Sequence, residues 1–226
     1  SYFAKDEIKS ILKLNSKLIY AIYLGINDKY LGKFKSLDYL TNFDYKDDYI
    51  LSVISCVRYH NIINMLKAYK SLISDMKLPL KMCLIMQILD EEYYKEIKNF
   101  IENNFEKDMV MIFSNINNKY IQNLYANSKL YLFSSYCEVF GLTSLEAMSQ
   151  GCPVLVSNRS ALPEINAGAA EYFDPDIPED LKNKIKDLII NQDKRNQLIT
   201  QGLDRSKIFN WDTNVDETIK LLKNLC

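Results

Sequence analysis

Glycine and proline are scarce in this chain, 6 and 5 of 226 residues. That excludes a collagen-like repeat and argues against disorder and long Gly-Pro loops. The five cysteines (Cys56, Cys83, Cys137, Cys152 and Cys226) make an odd count, and no pair has metal-ligand spacing. They read as free thiols in a reducing compartment, not as a disulfide framework or a metal centre. Neither sign of charge prevails: 28 Lys and Arg stand against 29 Asp and Glu, mixed along the sequence. Without a basic face, nucleic acid is not an expected partner. No apolar run reaches about 18 residues, so no membrane-spanning helix is expected. The opening SYFAKDEIKS lacks the layout of a signal peptide. It also starts without Met and in mid-pattern, which is expected of a piece of a longer protein.

What is present is an ordinary apolar share, 48%, suited to one large domain or one domain with appendages. Strand and helix signals alternate. Leu18–Leu24 reads as a short apolar strand ended by Gly25, and residues 26–48 as a linker. Tyr49–Val53 is a second strand. From His60 to Ser74 apolar residues recur with a helical period. Leu80–Ile85 is a strand, Asp90 with Glu91 and Glu92 opens a helix to about Asn104, and Met109–Phe113 is another strand. Helices follow over Asn117–Asn127, Glu179–Asn191 behind Pro178, Asp193–Phe209 and Asn214–Leu225, the last introduced by Trp211. Repeated βα units with short connections predict an α/β fold, a doubly wound parallel Rossmann-like sheet with helices on both faces. Strands apolar throughout, such as Leu80–Ile85, fit a sheet covered on both sides.

Residues 130–164, LYLFSSYCEVFGLTSLEAMSQGCPVLVSNRSALPE, carry the most information. Strand Leu130–Phe133 runs into a loop with a carboxylate, Glu138, and a glycine, Gly141. A short helix from Thr143 to Gln150 holds a second carboxylate, Glu146. Gly151 stops it and Pro153–Ser157 is again a strand. A helix N-terminus has unpaired N–H groups and partial positive charge, so it attracts phosphate. Flanking carboxylates accept hydrogen bonds from hydroxyls. A ligand with both phosphate and many hydroxyls fits, which points to a nucleotide sugar. On a doubly wound sheet such a ligand binds at the carboxyl ends of strands, where the Glu138 loop falls.

Glu138 and Glu146, set in CEVFGLTSLEAMSQGCPVLVSN and followed by LPEI and AAEYFDP, resemble the donor-domain signature of retaining nucleotide-sugar glycosyltransferases with two Rossmann-like domains, the GT-B architecture. The resemblance runs from about Tyr49 to the C-terminus. It implies that residues 1–40 end an acceptor domain and form the hinge. Residues 41–208 would bind the donor, and 209–226 would be a C-terminal crossover helix, fixed by Trp211. It implies further that Glu138 contacts the donor sugar's hydroxyls and that the backbone N–H groups of Phe140, Gly141 and Leu142 face sugar and diphosphate. Thr143 would donate to a phosphate and Glu146 would hold the ribose. Ser114, Asn115 and Ile116 would lie beside the base.

The family usually supplies an Arg and, five residues later, a Lys to neutralise the diphosphate. Here those positions are Ser55 and His60. Arg58, between them, and His60, when protonated, are the substitutes, so Glu138, Arg58 and His60 are the expected catalytic set. Met86-Gln87 replaces a glycine and narrows the pocket. Glu164 in LPEI is expected to cap or brace a loop. The resemblance implies transfer of a hexose from a UDP- or GDP-sugar to a glycan or lipid-linked acceptor, with retention. The nucleotide sugar is a co-substrate; no cofactor and no metal are implied. The remaining acceptor domain would be supplied by the longer protein, in the cytoplasm or peripherally on the inner face of a membrane. The alternative is a non-catalytic nucleotide-sugar-binding or interaction module that has lost the diphosphate clamp. A related sugar-nucleotide epimerase has a different cassette.

Overall fold

The computed structural model describes residues 1–14, 19–27 and 47–225. Six strands, β1 (Tyr49–Cys56), β2 (Lys81–Ile88), β3 (Val110–Phe113), β4 (Leu130–Phe133), β5 (Val154–Ser157) and β6 (Glu171–Phe173), form one sheet in the order 3-2-1-4-5-6. Every pairing is parallel, with Ile50 opposite both Met82 of β2 and Leu130 of β4. All residues of β4 and β5 are buried, which is why these strands read as continuous apolar runs rather than alternating ones.

The helices are α1 (Tyr2–Leu12), α2 (Ile62–Met76), α3 (Glu91–Asn104), α4 (Asn118–Asn127), α5 (Leu142–Ser149), α6 (Leu162–Asn166), α7 (Pro178–Ile190), α8 (Gln192–Ser206) and α9 (Trp211–Leu225). They form two packed groups, α2 with α3 and α7, and α4 with α5 and α8. Local signals set several ends. The Asp90 carboxylate accepts from the Tyr93 N–H at 2.9 Å and caps α3, whose first turn holds Glu91 and Glu92. Pro178 opens α7, where its missing N–H costs nothing. On α2 the buried residues Ile62, Met65, Leu66, Tyr69 and Leu72 share one face.

Two expectations are corrected. Residues 19–27 form no strand, and Leu18 lies outside the described residues, as do 28–46 of the expected linker. The run is partly exposed, with Tyr20 and Leu24 at the surface, and it packs through single side chains instead of pairing. Ile26 is buried and its N–H donates to the Phe209 carbonyl at 2.8 Å. The Tyr23 ring meets Tyr2, Phe140 and Phe209. Gly25 is also more than a stop signal: a Cβ there would collide with the backbone nitrogen of Trp211. The second correction concerns His60. Arg58–His60 is a 3-10 turn and Asn61 is left-handed at φ 58°, so α2 begins only at Ile62. The break turns His60 out of the helix and back toward the sheet.

Candidate functional site

The chain leaves β1 toward β2 on one side and β4 toward β5 on the other. A crevice opens where the order reverses. It holds a cavity of about 450 Å³ at the carboxyl ends of the strands. Ser55 of β1 and His60 after it, Met86 and Gln87 of β2, and Asn115 and Ile116 after β3 line it. From beyond β4 come Glu138, Gly141, Leu142 and Thr143.

His60 and Glu138 meet inside it. His60 Nε2 lies 3.1 Å from Glu138 Oε1, with side-chain exposures of 8% and 18%. His60 Nδ1 lies 2.6 Å from the Ser55 carbonyl oxygen. A carbonyl only accepts, so Nδ1 carries a proton; Nε2 faces a carboxylate, an acceptor when ionised. When both nitrogens carry protons, His60 and Glu138 form a buried ion pair. The turn is held by Ser134 Oγ, which donates to the His60 carbonyl at 2.6 Å. Glu138 is held from β5's side: its N–H donates to Ser160 Oγ at 2.8 Å.

The other wall is the N-terminus of α5. Gly141, at φ 92°, makes the turn into it, and a Cβ there would lie 2.7 Å from Leu162 Cδ2. No side-chain cap bond is made at this end; the Ser144 N–H donates to the Gly141 carbonyl at 3.2 Å, and the helix start carries the partial positive charge that attracts anions. Thr143 Oγ1 accepts from the fully buried Tyr131 hydroxyl at 2.8 Å. Glu146, one turn further on the same face, accepts from the Tyr125 hydroxyl at 3.3 Å. Burial pushes the Glu146 carboxyl up to about 7, against the opposing pull of the Tyr125 hydrogen bond.

Most sequence-predicted residues converge here, and some do not. Glu138, His60, Gly141, Leu142, Thr143, Asn115 and Ile116 share the cavity. Glu146 is not among the lining residues and lies one turn beyond Thr143 on α5. Arg58 is turned away: its guanidinium grips the Glu96 carboxylate through two bonds of 3.1 and 2.6 Å and lies 5.0 Å from the Tyr93 ring centre. A planar fork facing a planar carboxylate wins over an open pocket. Arg58 therefore does not line the cavity, and among the described residues no other Lys or Arg lines it. Ser114 is exposed and outside the lining. Phe140 is buried against Tyr23 and Phe209. Glu164 braces as expected: its two carboxylate oxygens accept the Tyr2 and Phe3 N–H groups, both at 2.7 Å. Sequence reasoning missed Tyr125, Tyr131, Ser134 and Ser160, whose partners are distant in the chain. It also missed Asp174-Pro175-Asp176, an Asp-x-Asp spacing visible in the sequence. Both carboxylates accept from Arg159 Nη2, at 2.8 and 2.7 Å, and form a loop brace.

A six-stranded parallel sheet in this order defines a Rossmann-like domain, the kind of domain of which GT-B glycosyltransferases are built. The chain belongs to the family described as glycosyl transferases group 1, whose model matches residues 40–205. It is 25% identical over 188 residues to the O-antigen chain mannosyltransferase RfbU of Salmonella typhimurium, covering 83% of this chain and 49% of that protein. It is 34% identical over 102 residues to the O-antigen chain mannosyltransferase B of Escherichia coli, covering 45% and 27%. The chain thus spans at most about half the length of these relatives. A glycosyltransferase from Rickettsia africae superposes with a TM-score of 0.85 at 18% identity, over 99% of this chain and 62% of that one. A sucrose-phosphate synthase from Thermosynechococcus elongatus superposes at 0.80 and 20%, over 98% and 56%. Among the described residues no helix is long and apolar enough to cross a membrane.

Proposed function

We propose that this chain is the donor-binding part of a retaining hexosyltransferase that uses a UDP- or GDP-sugar. The observation that carries the reading is the cavity where His60, Glu138 and Thr143 converge on the open end of α5. The diphosphate lies against that helix end, with Thr143 donating to a phosphate oxygen and a protonated His60 supplying positive charge. Glu138, fixed by Ser160 and His60, takes sugar hydroxyls, and Glu146 takes the ribose. Asn115 and Ile116 flank the base. In the reaction the anomeric carbon–diphosphate bond breaks and a bond to the acceptor oxygen forms with the same configuration. The acceptor's proton leaves with the diphosphate. Stabilising the departing charge is the residues' main task; each contact is worth about 1–3 kcal/mol, roughly 5- to 150-fold. No resident cofactor or metal is invoked.

The relatives' names make mannose the first sugar to test, with a glycan or lipid-linked hydroxyl as acceptor. Acceptor recognition belongs to a further domain of a longer protein, reached through residues 1–40 and through 209–226. A cytoplasmic or membrane-peripheral place suits such an acceptor. A second reading, a module that binds but does not transfer, is favoured by one observation: Arg58 is spent on Glu96. Titration calorimetry of UDP, GDP and their hexose conjugates tests the site. Binding that weakens at least about fivefold in both Glu146→Ala and Thr143→Val supports it. A folded chain that binds none of them refutes it. Product mass from the full-length protein with donor and acceptor then separates transfer from binding alone.

A further inference from the structure

Thr143 and Glu146 share one face of α5, and a core tyrosine reaches each of them. Tyr131 comes from β4 and Tyr125 from α4; both are fully buried. Their rings pack edge to face with centroids 5.5 Å apart, so each limits the other's rotation. Tyr131 has one proton and two acceptors, Thr143 Oγ1 at 2.8 Å and the Val53 carbonyl at 3.3 Å. The shorter bond runs to Thr143. When Thr143 accepts there, its own proton must point elsewhere, and its open side is the cavity. Glu146 Oε2 is fixed in the same manner by Tyr125 at 3.3 Å.

We infer that Tyr125 and Tyr131 are positioning residues for ligand binding at α5: Tyr131 aims the Thr143 proton into the cavity, and Tyr125 holds the Glu146 carboxylate toward the ligand's hydroxyls. The inference rests on the nucleotide-sugar reading of the cavity. A tyrosine that merely fills the core loses little when its hydroxyl is removed and its ring kept. A positioning tyrosine loses affinity, and loses it only through its partner.

Calorimetry with UDP and GDP on Tyr131→Phe, Thr143→Val and the double variant tests the first pair. Tyr131→Phe is expected to weaken binding roughly 3- to 10-fold, and the double variant to bind no worse than Thr143→Val alone. Unchanged affinity in Tyr131→Phe, or additive losses, overturns the Tyr131 arm. Thr143→Ser, which keeps the acceptor for Tyr131, is expected to bind as the wild type does. A loss equal to that of Thr143→Val overturns this arm even where Tyr131→Phe fails to fold. The second pair is read without ligand. Carbon-13 NMR of the Glu146 carboxyl is expected to show its titration at higher pH in Tyr125→Phe, because the bond that favours the ionised form is gone. An unmoved titration overturns the Tyr125 arm. A wild-type chain that binds neither nucleotide refutes the reading of the cavity and both arms with it, and the Glu146 titration then reports only whether the Tyr125 bond forms.

Discussion

At the scale of single residues, Glu146 couples the site to pH. Its carboxyl is raised from about 4.5 to about 7 by burial, so the folded chain favours the neutral form. Its contribution to stability is fully present below pH 4.5, where both states are protonated. It is lost as pH rises to about 7, because the unfolded chain ionises first. The loss is about 3 kcal/mol. Glu146→Gln is therefore expected to unfold at higher denaturant than the wild type at pH 8 and at the same denaturant at pH 4. A difference that persists at pH 4 would show that the change acts through packing. The places of Glu138, Thr143 and Gly141 in one cavity were legible because residue type and spacing around one helix start carry them. Arg58 was not. Its capture by Glu96, 38 positions away, depends on how α3 lies against the turn after β1, and no local pattern encodes that. The same holds for Tyr125 and Tyr131, which read as core aromatics and are core aromatics, with hydroxyls that reach Glu146 and Thr143.

At the scale of elements, the sheet was readable because buried parallel strands are unbroken apolar runs between helical periods. The departures occur where an apolar run has another use. Residues 19–27 pack as irregular backbone against Phe140 and Phe209, and a left-handed Asn61 delays α2. The short helix α6 bears on the docking of α1. Glu164 accepts the first N–H groups of α1, a negative charge at the positive end of a helix. Arg205 holds α6 in turn by donating to the Glu164 and Ile165 carbonyls, both at 2.8 Å. Replacing Glu164 with Ala removes a cap worth about 1 kcal/mol. Amide exchange is expected to quicken across α1 while α5 and the sheet keep their protection. Equal exchange in α1 would show that its docking does not depend on Glu164.

At the scale of the whole molecule, α1 and α9 differ from the other long helices. Neither has a buried residue. On α9 Trp211, Val215, Ile219 and Leu222 recur at helical spacing and stay exposed. Such a stripe is covered in a stable assembly, and the proposed acceptor domain is the occupant the function calls for. Hydrogen exchange in α9 is expected to slow in the full-length protein relative to this chain; equal rates would place that domain elsewhere. The central claim is narrower: the open end of α5, between Glu138 and Glu146, binds the diphosphate of a sugar nucleotide. Calorimetric titration of this chain with UDP and GDP tests it most directly. The account predicts saturable binding of one nucleotide per chain, weakened in Thr143→Val; a folded chain that gives only the heat of dilution contradicts it.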